Sequence, residues 1–347
     1  MLTEKYLHAR NYGCRIRQYV YKGVDMLSME NSKVKAVIAL GKGADIVELV
    51  YKPMDIDFMW HSFNELGKTP PHPTAASGGG SFLDLYAGGW QDLFPTYGAR
   101  SLYYGAEIGQ HGEACLYPWD CTVVRDDPEG VEVCLSLRLT RSPFFMTKTL
   151  SLEEDQTALV IKVRIVNESA STQRFMWGQH PAFGIPFLDD SVRLHMDGTP
   201  TVSVLAGAIS NRCPFDKETS GSWPMLPAAD GKMMDMSRAY APEDRINMEY
   251  CISDLKEGKY EVVNHNLNLG LRMTWDKEVF PYVWVWGMYC GLDQYPWFGR
   301  AYVMGIEPWS SVPGNFAQVE KDGNLLSLPA GAALESEMRA EIFVKQP

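Results

Sequence analysis

Val131-Glu132-Val133-Cys134-Leu135-Ser136-Leu137-Arg138-Leu139 is the stretch that decides the fold. Val131, Val133, Leu135, Leu137 and Leu139 share one face of an extended chain, with Glu132, Ser136 and Arg138 on the other. Alternation of that length marks a half-buried β-strand. The pattern recurs along the chain. Leu159, Ile161, Val163 and Ile165 repeat it until Asn167-Glu168-Ser169 breaks it. Leu267, Leu269, Leu271, Met273 and Trp275 alternate with Asn268, Arg272 and Thr274. Near the C-terminus Leu334, Met338, Ala340 and Ile342 alternate with Glu335, Glu337, Arg339 and Glu341. Lys33 to Leu40, Asp45 to Tyr51, Tyr282 to Tyr289 and Ala301 to Ile306 are further strand candidates. Helical periodicity is almost absent, and the best helical turns follow Pro53 and Pro242, since proline suits a first turn. Without helices to carry parallel crossovers the strands should be mainly antiparallel. The expected fold is all-β: a large antiparallel β-sandwich with few short helices.

Two loop-rich regions interrupt the strands. Gly67 to Ser81 contains Pro70-Pro71-His72-Pro73 and Gly78-Gly79-Gly80, and Ala206 to Arg245 is rich in Pro, Gly, Ser and Asp. Loops of this length in a compact fold are often functional. The same strand grammar continues on both sides of each, so residues 1–347 read as a single domain. Its first ~30 residues are expected to be peripheral.

Composition narrows the function. The chain has 347 residues, 46% of them hydrophobic and 22% charged, which excludes a disordered or collagen-like polymer. A formal net charge of −11 and the lack of any Lys/Arg run argue against nucleic acid or an anionic membrane as partner. No apolar run approaches the ~18–20 residues needed to span a bilayer. The N-terminus alternates charged and apolar residues and reads as no signal peptide. Seven cysteines, with no CxxC pair, read as reduced thiols of a cytoplasmic protein. The 10 Trp, 17 Tyr and 14 Phe suit either a β-rich core or rings that stack on sugar faces.

Ser77-Gly78-Gly79-Gly80-Ser81 lacks the spacing and the Lys-Ser/Thr of a phosphate loop, and neither HExxH nor GxSxG is present. His111-Gly112-Glu113 lacks the second His a metal set would need, so no metal is expected. Three short segments remain, each mixing Gly, Pro, Trp and an ionisable side chain. The first runs from Gly88-Gly89-Trp90-Gln91-Asp92 through Pro95-Thr96-Tyr97-Gly98 to Gln110-His111-Gly112-Glu113 and Tyr117-Pro118-Trp119. The second, Trp177 to Gly184, contains His180 and directly follows a strand. The third, Gly305-Ile306-Glu307-Pro308-Trp309, ends one. A lone His beside Gly or Pro often caps a turn, and a buried Glu is often salt-bridged. Glu307 follows an apolar strand end and precedes Pro and Trp, so partial burial should raise its pKa toward that of a useful base.

In order and approximate spacing these segments resemble the aldose 1-epimerase (galactose mutarotase-like) superfamily. The likeness is nearest its hexose-phosphate epimerase-like branch or an uncharacterised relative. It covers about Val34 to Phe343 and includes a closing Leu328-Pro329-Ala330-Gly331 turn. The resemblance implies a large β-sandwich that interconverts the α and β anomers of free sugars with no cofactor. It makes Glu307 the general base, His180 the general acid and His111 a substrate-orienting or auxiliary His. Glu113, Arg100, Trp90, Asp92 and Trp309 follow as candidate substrate-binding residues, and Trp90, Trp119, Trp286 and Trp309 as a stacking wall.

Where the phosphosugar branch is expected to offer an arginine, this chain has Cys115, with Glu113 adding negative charge nearby. A carboxylate repels phosphate, so a neutral monosaccharide or related sugar is the expected substrate. A homodimer is left open. Two other readings stand: a carbohydrate-binding protein without turnover on the same fold, and a glycoside hydrolase or lyase. Hydrolysis usually needs two opposed carboxylates, and only Glu307 stands out.

Overall fold

The computed structural model describes residues 10–67, 80–98, 100–205, 212–216 and 218–345. The polypeptide forms two large antiparallel sheets and three two-stranded ones around a main core, with a small second apolar cluster at Val24, Met26, Val37 and Ala39. Of the two large sheets, the larger has 12 strands. In spatial order it runs Arg15–Tyr21, Val24–Glu30, Val34–Ala39, Asp45–Tyr51, Trp90–Leu93, Gly178–Phe183, Tyr302–Trp309, Tyr282–Tyr289, Ile246–Ser253, Thr201–Val204 and Ser220–Ser222, with Ile56–Asp57 paired off this path. The smaller has 8 strands: Val192–His195, Lys259–Asn264, Leu269–Trp275, Ala333–Val344, Ala158–Asn167, Phe144–Glu153, Gly130–Arg138 and Asp120–Asp126. This is the sandwich that the alternation predicts.

Register follows the side-chain pattern. In Gly130–Arg138 the residues Val131, Val133, Leu135 and Leu137 are buried and meet the neighbouring Phe144–Glu153 strand with Leu135 opposite Lys148. A one-residue slip would turn this apolar set to solvent, and burying each large aliphatic side chain contributes about 1.5–3 kcal/mol. Phe144, Met146, Leu150 and Leu152 face inward on their strand, and so does Lys148. That lysine in an apolar row needs a partner, and Asp92 of the large sheet supplies one at 2.8 Å.

The turns at Pro53 and Pro242 are 3-10 helices, Lys52–Met54 and Pro242–Asp244. Two short α-helices, Gly80–Leu85 and Phe316–Lys321, escape the sequence pattern because six residues complete fewer than two turns. Most of the Gly67 to Ser81 connection lies outside the described residues, but its end is the first of these helices. The Ala206 to Arg245 region carries three short strands, Ser220–Ser222, Met225–Pro227 and Met233–Asp235. Among the described residues no helix is long and apolar enough to cross a membrane.

Candidate functional site

The site lies on the outer face of the large sheet, at its centre. Trp177 to Gly184 follows the short strand Gln173–Phe175 and itself contains another, Gly178–Phe183, while Gly305 to Trp309 ends the strand Tyr302–Trp309, with Glu307 inside it. The strands of His180 and Glu307 are neighbours. The pairs Gly178↔Trp309 and Ala182↔Gly305 set the register that places His180 opposite Glu307. Pairing lapses between those points, where Pro181 and Pro308 have no N–H to donate. His180 is also opposite Gln91, and Glu307 opposite Trp284, so one row of side chains crosses four strands on a single face.

His180 Nε2 lies 3.3 Å from Glu307 Oε1, and both residues are 4% exposed. The other carboxylate oxygen, Oε2, accepts from the Trp309 indole N–H at 3.0 Å. Trp309 in turn stacks on Trp284, with ring centroids 4.3 Å apart and planes 18° from parallel. Gly305 leaves room beside them: a Cβ there would come within 2.9 Å of Glu307 Oε1 and push the carboxyl group aside. The Tyr86 hydroxyl is 3.3 Å from His180 Nδ1, the far ring nitrogen. Burial raises the Glu307 pKa to about 8, eased by the Trp309 N–H and reinforced by the charge of Glu249. Burial lowers that of His180 to about 4. Both shifts disfavour net charge and leave a neutral imidazole beside a protonated carboxyl at neutral pH.

His111 reaches the same place from a loop. It is buried, with the left-handed backbone φ of 64°, and its ring centroid is 5.7 Å from that of His180. Burial holds its pKa well below the ordinary range, with the nearby His180 adding to the effect. Its Nδ1 has no hydrogen-bond partner. Together His180, Glu307 and His111 open into a cavity of about 1100 Å³, walled by Tyr86, Trp286 and Trp297.

Several sequence candidates lie elsewhere. Trp90 and Asp92 face the sandwich interior. The Trp90 indole donates to Gln179 at 2.7 Å, and Asp92 is ion-paired with Lys148 while accepting from Gln179. Glu113 is fully buried and satisfied by the Ser142 hydroxyl at 2.6 Å and the backbone N–H groups of Thr140 and Arg141. Arg100 is exposed and 3.6 Å from Glu107. Trp309 does not line the cavity; it holds Glu307. Trp119 donates to the Ala114 carbonyl and lies over the Lys148 ammonium. Of the expected stacking wall, only Trp286 lines the cavity. Cys115 is fully buried, so the sequence argument that places it and Glu113 beside the substrate is corrected.

Tyr86, Asn247, Glu249 and Trp297 were not singled out from sequence. Ile246–Ser253 carries a readable signal, with Asn247, Glu249, Cys251 and Ser253 alternating against Ile246, Met248, Tyr250 and Ile252. Burial raises the Glu249 pKa to about 7. Among the described residues no group of three or more His, Cys, Asp or Glu side chains is placed to hold a metal ion.

A family model described as Domain of unknown function (DUF4432) matches residues 21–342. The chain belongs to that family. Comparison of this DUF4432 chain with curated proteins gives no match. Its fold matches solved structures along nearly its full length. A Klebsiella pneumoniae protein provisionally assigned as an aldose 1-epimerase is 13% identical with a TM-score of 0.71, over 96% of this chain and 88% of that one. A galactose mutarotase-like protein from Lactobacillus casei is 19% identical with a TM-score of 0.61, over 92% and 100%. Another from Clostridium acetobutylicum is 14% identical with a TM-score of 0.61, over 96% and 99%. The DUF4432 chain therefore has the galactose mutarotase-like β-sandwich fold, as its motifs imply.

Proposed function

We propose that this protein is an aldose 1-epimerase-like mutarotase, which opens and recloses the ring of a free sugar lacking phosphate or carboxylate. One observation carries the reading: the His180 imidazole and the Glu307 carboxyl group, 3.3 Å apart, face one cavity. Mutarotation moves two protons. Transfer of the Glu307 proton to His180 readies the pair; Glu307 then takes the anomeric hydroxyl proton while His180 protonates the ring oxygen, and the bond between C1 and that oxygen breaks. The aldehyde turns about C1–C2, and the reverse transfers close it on the other face. Both reacting oxygens are attached to C1, so acid and base must be neighbours, as His180 and Glu307 are. The chemistry needs only proton transfer and calls on no metal or cofactor.

Tyr86 orients the imidazole and Trp309 the carboxylate. His111, with an unpartnered ring nitrogen, is placed to hold a sugar hydroxyl. Among the described residues no Lys or Arg lines the cavity, which supports a substrate without an anionic group.

Anomer-exchange NMR on a panel of aldoses tests the proposal. Wild type accelerates exchange, while Glu307→Gln and His180→Asn each lose roughly 10²–10⁴-fold. Binding without acceleration for every sugar would overturn it in favour of a carbohydrate-binding protein, which needs no proton donor beside an acceptor.

A further inference from the structure

Glu249 is a cavity carboxylate that the ring-opening chemistry leaves without a task. It projects from the Ile246–Ser253 strand opposite Trp286, two strands away from Glu307. Among the described residues no hydrogen bond or ion pair reaches its carboxylate, and burial alone accounts for its displaced pKa. Two residues earlier on the same face is Asn247, 2% exposed, lining the same cavity, with its Oδ1 unpartnered. Buried polar groups in folded proteins almost always have partners. Asn247, buried without a partner for its Oδ1, and the partly exposed Glu249 carboxylate beside it on the cavity wall point to a ligand that supplies the missing donors.

The surroundings select the kind of donor. Among the described lining residues Glu249, Asp254 and Glu307 are acidic and none is Lys or Arg. The rings of Trp286 and Trp297, 5.4 Å apart, provide faces that attract a cation. The net charge of −11 draws cations toward the molecule as a whole. An ammonium brings three donors and a positive charge; a hydroxyl brings one donor and none.

We propose that the cavity takes a sugar bearing a protonated amine, held by Glu249 and Asn247 against Trp286, with its anomeric carbon at His180 and Glu307. Strands about 4.8 Å apart put the Glu249 and Glu307 backbones on the order of 10 Å apart, a gap that two glutamate side chains and a pyranose fill. Sugar phosphates and uronic acids are repelled. The proposal builds on the mutarotase reading only in placing the anomeric carbon.

Ligand-observed NMR at pH 7 compares D-glucosamine and D-galactosamine with their N-acetyl derivatives and parent hexoses, alongside anomer exchange. A charge-assisted contact makes one free-amine sugar bind about ten- to a hundredfold tighter than its N-acetyl form. Glu249→Gln brings the two to equal affinity, and Asn247→Asp widens the gap by adding a second carboxylate. The proposal is overturned when N-acetyl or parent sugars bind as tightly as the amines. It is equally overturned when Glu249→Gln weakens amine and N-acetyl sugars by the same factor, which makes Glu249 an acceptor for hydroxyls. Amine-selective binding without exchange for any sugar sinks the mutarotase reading and leaves this one intact.

Discussion

Asp92 and Glu307 are both buried carboxylates of the large sheet, on strands that flank the same neighbour, yet they are surrounded differently. Asp92 is 1% exposed and faces the interior, where Lys148 neutralises it and Gln179 and Trp177 donate to it. Glu307 faces the cavity with one indole N–H and one imidazole, and no Lys or Arg. Gly178–Phe183 serves both through alternation, sending Gln179 inward and His180 outward. A buried carboxylate with a cation and a full set of donors is spent on structure. One left short of both retains a proton it can exchange.

Mutation can break or sharpen that contrast. Glu307→Gln is expected to lower kcat/KM by roughly 10²–10⁴-fold in the exchange assay, with folding intact. Lys148→Met leaves Asp92 buried without its cation and should cost about 3–5 kcal/mol, measured by denaturant unfolding. The same unfolding experiment on Glu307→Gln should show the opposite sign, a gain of about 0.5–2 kcal/mol. Its pH dependence follows from the raised pKa. Protonated Glu307 suits the folded state, so its contribution is fully present below the unfolded value of ~4.3 and is lost as pH rises through about 8. The gain from Glu307→Gln therefore grows from pH 5 to pH 9.

The smallest expected change concerns Trp309. The kcat/KM profile should be flat between limbs near about 4, where His180 gains a proton, and about 8, where Glu307 loses one. Trp309→Phe removes an N–H that favours the ionised carboxylate and moves only the upper limb, to higher pH.

Much of this was legible before any coordinates. Period two gave the strands, since half-buried strands must alternate, and the Gly, Pro and Trp around His180 and Glu307 flagged the two residues the fold brings together. Trp90 and Asp92 were misplaced because sequence shows which residues share a face but not which face is inward. Only the register against Gln179 and Lys148 turns them to the interior. Glu113 misled because its partners, Thr140 to Ser142, lie far along the chain. Glu249 was visible as a polar position in an alternating strand, but its place opposite Trp286 arises from pairing between distant segments.

The lapse in pairing around Pro181 and Pro308 is short and bounded at both ends, so the backbone anchors proton donor and acceptor at a fixed spacing. Wall residues such as Glu249, Asn247 and Trp297 come from other segments and can be exchanged without disturbing that spacing. In such a scaffold a new substrate preference arises by rebuilding the walls, while the reaction at the floor is inherited unchanged.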